Sequence, residues 1–259
     1  MIPKKIHYFW IGGNPKPDSV LFCIESWKKF CPDYEIIEWN ESNYDFTKNE
    51  YMRQAYEAKK WGFAPDYGRL DVIFQYGGIY LDTDVEVIKN MDHLLENKVF
   101  MGFDRTVEKE KFVACGLGFG AEPGAAILKE MMEVYENVSF IDEDGRFNLL
   151  PSPHYSTKCL ARHGLQNEDC DQLIDGVMVY ASDVLCPKSY NTGQIKLTDR
   201  TVSIHHFDAT WQDAAQKRKH DRNVRINNTL GLKYGSRLNR MINNAEYLGN
   251  AVKRKLLRK

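Results

Sequence analysis

The chain has 259 residues, 43% hydrophobic and 27% charged, with a formal net charge of −1. This is ample for the core of one large α/β domain or two small ones, and no apolar run approaches the ~18 residues of a membrane-spanning helix. Six cysteines without a CxxC pair or metal-ligand spacing fit buried free thiols in a reducing compartment, not a disulfide frame.

Met1 to Lys5 leads into a strand pattern and not into a signal-peptide core, so the chain is expected to stay in the cytoplasm. Residues 5–11 (KIHYFWI) read as the first strand, and Gly12-Gly13 ends it in a turn at the carboxyl edge of a sheet, where open α/β folds bind ligands. An amphipathic helix over 18–30 follows, with Asp18 as its cap, then a strand over 34–39 and a helix over 51–60. In the next stretch, FAPDYGRLDVIFQYGGIYLDTDVE, Leu70, Ile73, Phe74 and Gly77 recur at helical spacing, with Asp66 and Arg69 on the same side. Gly77-Gly78 stops that helix, and 79–81 reads as a short buried strand ending in Asp82-Thr83-Asp84. Strands over 98–102, 112–120, 177–180 and 202–206 and helices over 125–137 and 154–163 complete the pattern. The alternation predicts a mostly parallel sheet covered on both faces.

Alternation along an extended chain would send the Asp82 and Asp84 carboxylates to one side at the sheet edge. Oxygen ligands there suit a hard cation that keeps open positions for phosphate oxygens. A solvated acidic turn is the plainer reading, but the GGIYL strand directly before the motif favours a metal site. Asp66 and Arg69 in isolation form an (i, i+3) pair of a few tenths of a kcal/mol. Trp10 alone would be a core or interfacial ring; the Gly-Gly after it opens the backbone for stacking on a nucleobase. His205 and His206 end a strand whose alternation turns one ring to the crevice and the other inward. Gly116, Gly118 and Gly120 in CGLGFG are not followed by a helix, so close backbone packing or acceptor-site lining explains them better than a nucleotide loop.

The run DYGRLDVIFQYGGIYLDTDVE, with IPKKIHYFWIGG before it and IHHFDATW after it, resembles glycosyltransferase family 32, over roughly residues 1 to 211. The motifs are also similar to those of clostridial glucosylating toxins. The resemblance implies a single GT-A (Rossmann-like) nucleotide-sugar-binding domain and a retaining hexosyltransferase of capsule, lipopolysaccharide or exopolysaccharide synthesis. It implies Mn2+ or Mg2+ held by Asp82, Asp84 and His206, with His205 as the fallback. The nucleotide-sugar donor, UDP- or GDP-linked, would meet Phe9, Trp10, Ile11, Asp66, Arg69, Tyr80, Asp82, Thr83, Asp84 and Trp211. Asp66, Arg69, Asp82 and Asp84 would carry the chemistry, and no catalytic base is named. The chain departs from the pattern in having Pro65 where relatives often have Ser, which removes a side-chain contact. A non-catalytic nucleotide-sugar or carbohydrate-binding protein is the main alternative. A phosphatase of the haloacid dehalogenase type fits less well, because Glu86 stands where its pattern needs Thr or Val.

Charge is divided unevenly along the chain. Residues 217–259 hold 13 Lys and Arg against Asp221 and Glu246, a balance of +11, which leaves −12 for the rest. Residues 1–215 are therefore expected to form the catalytic domain, and 216–259 a basic helical tail. From Lys233 the positions Tyr234, Leu238, Met241, Ile242, Ala245, Leu248, Val252 and Leu256 fall at helical spacing among arginines and lysines. The expected partners are a nucleotide sugar, a glycan or lipid-linked oligosaccharide acceptor and, through the tail, an anionic membrane surface; nucleic acid is not expected. The expected location is peripheral, on the cytoplasmic face of the inner membrane.

Overall fold

The computed structural model describes residues 1–105, 110–208 and 214–256, with side chains in the last segment described over 215–248. The chain opens with β1 (Lys5–Phe9), α1 (Asp18–Phe30), β2 (Glu35–Trp39) and α2 (Glu50–Glu57). In α1, Val20, Cys23, Ile24 and Trp27 form the buried stripe. Asp18 is the first helical residue and not the cap: Pro17 precedes it, and no side chain caps this end. The Asn49 side chain caps α2 by accepting from the Met52 N–H.

The central helix α3 (Pro65–Tyr76) starts on Pro65, whose missing N–H costs nothing in a first turn. It stops at Gly77 (φ 63°), from which β3 (Gly78–Tyr80) departs. There follow β4 (Val85–Val87), β5 (Val99–Gly102), β6 (Phe119–Ala121), α4 (Ala126–Glu136) and α5 (Ser152–Arg162). The series closes with β7 (Gln172–Ile174), β8 (Val177–Tyr180), α6 (Ser182–Leu185), β9 (Ser203–His205) and α7 (Ala214–Leu256).

Seven strands make one sheet in the order β2-β1-β3-β6-β5-β8-β7. Its β1 is parallel to β2 and β3, and β5 to β8, whereas β6 and β7 run against their neighbours. The α/β class and the mostly parallel sheet are thus as the sequence predicts. Strand alternation divides the core between the two faces. Phe9, Tyr80, Val99, Met101 and Phe119 pack on one side with α2, α3 and α4; Ile6, Tyr8, Ile79, Leu81 and Phe100 pack on the other with α1.

The stretch 112–120 is not the continuous strand that its apolar content suggests. Cys115–Leu117 form a 3-10 turn and Gly118 takes φ 121°, so the strand is confined to Phe119–Ala121, with Val113 making an isolated bridge to Phe103. The expected strand over 202–206 is found, shortened to β9, but it pairs antiparallel with β4 in a separate ribbon. Trp27 Nε1 donates to the Val85 carbonyl at 2.7 Å and Ser26 Oγ accepts from the Val87 N–H at 2.9 Å, fixing that ribbon on α1.

His7 has no exposed surface. Trp39 Nε1 donates to its Nδ1 at 3.1 Å, so Nε2 carries the proton and donates to the Gly77 carbonyl at 3.0 Å. Burial pushes its pKa down from 6.5 to about 4, only partly offset by the Gly77 hydrogen bond. Because the folded state favours the neutral ring, this stability is complete above pH 6.5 and is lost as pH falls towards 4, on the order of 3 kcal/mol in all. In an NMR titration the ring is expected to stay neutral through that window; protonation at its ordinary pKa would contradict the assignment.

The chain divides into two compact units, Met1–Lys188 with Ile195–Trp211, and Ser189–Gln194 with Gln212–Lys259. The second unit includes a loop, Ser189–Gln194, that the sequence reading leaves in the first. Asn227 and Asn228 side chains donate to the carbonyls of Asn191 and Thr192, each at 2.8 Å. Within α7, Gly231 (φ 69°, ψ 157°) breaks the helix in two. Asn239 Nδ2 donates to Asn227 Oδ1 and to the Asn223 carbonyl, both at 3.0 Å, and Arg222 pairs with Glu246, so the halves form a hairpin.

Candidate active site

The site begins on α3, which carries Asp66 and Arg69 one turn apart, both about 95% buried (4% and 5% exposed). Arg69 Nη2 lies 3.0 Å from Asp66 Oδ1 and 3.6 Å from Asp82 Oδ1, so one guanidinium bridges the helix and the motif after β3. Its Nε donates to the Pro65 carbonyl at 3.3 Å, and its head lies 5.2 Å from the centre of the Tyr80 ring. Burial pushes the Asp66 carboxyl up to about 6 although Arg69 opposes the shift. The Ser152 hydroxyl, at the start of α5, also acts on Asp66. It was missed in the sequence because only the fold brings α5 to α3.

Asp82 and Asp84 converge through a turn, not through strand alternation. The Val85 N–H donates to the Asp82 carbonyl at 3.1 Å, closing a turn over Thr83 and Asp84. Tyr80 Oη donates to Asp82 Oδ1 at 3.0 Å. Burial pushes the Asp82 carboxyl up; Arg69 opposes this and the Asp84 charge reinforces it. At Asp84 burial also acts upward, but His205 and backbone N–H donors, that of Asp208 among them, together outweigh it and the net shift is down. Asp84 Oδ2 accepts from the Asp208 N–H at 2.9 Å, and its Oδ1 lies 3.1 Å from His205 Nε2.

His205, the fallback, is the histidine that faces the motif. In the β4–β9 ribbon Val85 stands opposite His205 and Glu86 opposite Ile204, so the face of Glu86 and Ile204 also receives His206. His206 Nε2 accordingly sits 2.9 Å from Glu86 Oε2, away from Asp82. Ligand atoms of Asp82, Asp84 and His205 lie within 4.8 Å of one another. Two carboxylate oxygens and an imidazole nitrogen fit Mn2+ or Mg2+ with positions left for phosphate. His205 Nδ1 is buried and has no hydrogen-bond partner among the described residues.

Other expected contacts fall differently. Phe9 and Ile11 are buried core side chains, which leaves only their backbone for a ligand. Trp10 is part-exposed, its Nε1 donating to the Asn14 carbonyl at 2.7 Å, so a ring surface remains. Thr83 lies in the turn, partly exposed, and Trp211 lies outside the described residues.

Gly116 explains part of the CGLGFG motif. Its carbonyl accepts from the Asp82 N–H at 3.2 Å, and a Cβ there would run into Asp82 Oδ2 and lie 3.2 Å from Arg69 Nη1. Gly116→Ala is expected to lower metal affinity and transfer about 100-fold, with folding intact because the nearest atom ends a side chain that can swing away. Unchanged metal affinity in a titration would show that the close packing has no role.

The family described as a glycosyltransferase sugar-binding region containing a DXD motif matches residues 17–101. Over these residues the chain is similar to a glycosyltransferase sugar-binding region. Its DXD is Asp82-Thr83-Asp84, and the α3 pair lies inside the same match. An inositol phosphoceramide mannosyltransferase 3 of Schizosaccharomyces pombe is 34% identical over 98 residues, 36% of this chain and 27% of that protein. An uncharacterized glycosyltransferase of Acanthamoeba polyphaga mimivirus is 31% identical over 119 residues, 44% of this chain and 46% of that protein. The matched part of the chain thus spans between about a quarter and half the length of these relatives. Among solved structures, a PaToxG glycosyltransferase aligns at 21% identity and TM-score 0.48, over 62% of this chain and 69% of that one. The galactosyltransferase LgtC aligns at 13% identity and TM-score 0.40, over 84% and 93%.

Proposed function

We propose that the chain transfers a sugar from a nucleotide-sugar donor, UDP- or GDP-linked, to a glycan acceptor, with help from Mn2+ or Mg2+. The observation that carries the proposal is the convergence of Asp82, Asp84 and His205 within 4.8 Å, beside the buried Asp66–Arg69 pair, with Asp66, Arg69, Asp82 and Asp84 inside the DXD match. Asp82, Asp84 and His205 would hold the cation, which when bound supplies a Lewis acid for the leaving diphosphate. Arg69, fixed by Asp66 and the Pro65 carbonyl, presents its guanidinium to the same place. Its Nη2 also lies 3.6 Å from Asp82 Oδ1. Asp66 would accept hydrogen bonds from sugar hydroxyls, and Trp10 would offer its ring to the base.

In the transfer the bond from the anomeric carbon to the phosphate oxygen breaks and its electron pair leaves with the diphosphate. The acceptor oxygen then bonds to the same carbon, and its proton passes to the departing phosphate. Entry on the face just vacated gives retention without a protein nucleophile. The acceptor we favour is a lipid-linked glycan, as in capsule or lipopolysaccharide synthesis; the relative from S. pombe is named an inositol phosphoceramide mannosyltransferase.

A thermal-shift panel of nucleotide sugars with and without Mn2+ tests the donor, since a ligand at about 100 times its dissociation constant adds roughly 2.7 kcal/mol of stability. Metal-dependent stabilisation by one nucleotide sugar, followed by release of nucleoside diphosphate, is expected. Stabilisation without release, whatever acceptor is supplied, would assign the chain to sugar-nucleotide binding instead.

A further inference from the structure

The second half of α7 turns Tyr234, Leu238, Met241 and Leu248 outward, whereas Ile226, Leu232 and Ile242 are partly buried. The hairpin's inner face, where the halves meet, is polar: Asn227 and Asn239 are buried and bonded to each other, Arg222 pairs with Glu246, and Gly235 packs against the Asn227 backbone. Tyr234, Leu238, Met241 and Leu248, at spacings of four, three and seven, form one stripe on the second half and are 61%, 37%, 70% and 63% exposed. Lys233, Arg237 and Arg240 are exposed and border one side of that stripe. The segment 217–259 carries 13 basic residues against two acidic ones. Among the described residues no helix is long and apolar enough to cross a membrane.

We infer that the second half of α7 docks in the plane of an anionic lipid surface, its apolar stripe in the headgroup–acyl boundary and its basic border on the headgroups. Several features point to lipid in preference to a protein partner. The stripe is narrow and unbroken over four turns, its border has one sign of charge, and the polar inner face shows that hairpin closure does not use it. The apolar stripe distinguishes this face from a purely electrostatic one, because charge alone would need no Leu, Met and Tyr outside. The inference stands apart from the sugar-transfer reading and survives if that reading fails.

The test uses the full chain and vesicles of phosphatidylcholine alone or with phosphatidylserine. Cosedimentation is expected only with phosphatidylserine and should weaken as salt rises. Replacing Lys233, Arg237 and Arg240 together by Gln should weaken binding roughly 100-fold, as each cation at an anionic leaflet contributes about fivefold. Leu238→Ser, Met241→Ser and Leu248→Ser together, on exposed positions that leave the fold alone, should lower binding by a similar factor without changing net charge. In a Tyr234→Trp variant, emission should shift to the blue on phosphatidylserine vesicles. The inference is overturned if the Ser variant binds as well as the wild type, if the tryptophan stays in water, or if the stripe proves to join two copies in sedimentation velocity and vesicles are not bound.

Discussion

Asp84→Asn is expected to lower sugar transfer by about 1,000-fold or more, equivalent to roughly 4 kcal/mol of transition-state stabilisation, while the fold survives. The size follows from what departs. In the proposed transfer a nucleoside diphosphate would leave with charge that an oxygen-liganded cation would neutralise, and Asp84 would supply one of the two carboxylates that could hold that cation. Asn is the better probe than Ala because its amide oxygen can still accept from the Asp208 N–H, which Asp84 bonds at 2.9 Å. Stability should therefore fall by no more than about 1–2 kcal/mol, the scale of one altered hydrogen bond and one altered His205 contact. Transfer at the wild-type rate, with metal dependence retained, would remove Asp84 from the site.

Arg69→Ala is expected to cost about 3–5 kcal/mol of folding stability in addition to activity, because it leaves the largely buried Asp66 carboxylate without its cation. From spacing alone the pair resembles a surface salt bridge of a few tenths of a kcal/mol. Burial reverses that valuation: removing one partner of a buried pair exposes the desolvation cost of the other. The double replacement Asp66→Asn with Arg69→Met should recover most of the lost stability, since it leaves no unpaired charge, yet remain inactive. Chemical denaturation of the two variants separates the effects. If the single variant loses less than about 1 kcal/mol, the pair is solvated and belongs to the surface.

Much of the scaffold was legible because local rules governed it. The stripe of α1, the Gly77-Gly78 stop and the short strand into Asp82 each have a physical cause within a few residues, and the helix bounds 18–30 read from sequence match the structure. What depends on distant segments was read less well. The choice between His205 and His206 turned on the register of β9 against β4, and β4 is too short to announce itself. Asp82 and Asp84 were placed together for the wrong reason, a turn in place of an extended edge. Ser152 and the close approach of Gly116 to Asp82 could be seen only once α5 and the 3-10 turn were brought to α3 and β3. Phe9 and Ile11 are donor contacts only by the family resemblance; their alternation and apolar character place both side chains in the core.

The most direct test of the metal site is a calorimetric Mn2+ titration, in the presence of nucleoside diphosphate, of the wild type, His205→Ala and His206→Ala. The geometry predicts that His205→Ala weakens Mn2+ binding by more than about tenfold, as loss of one ligand should, whereas His206→Ala leaves it within about twofold because that ring faces Glu86. Equal affinity for wild type and His205→Ala, or a loss confined to His206→Ala, would contradict the site as drawn from Asp82, Asp84 and His205.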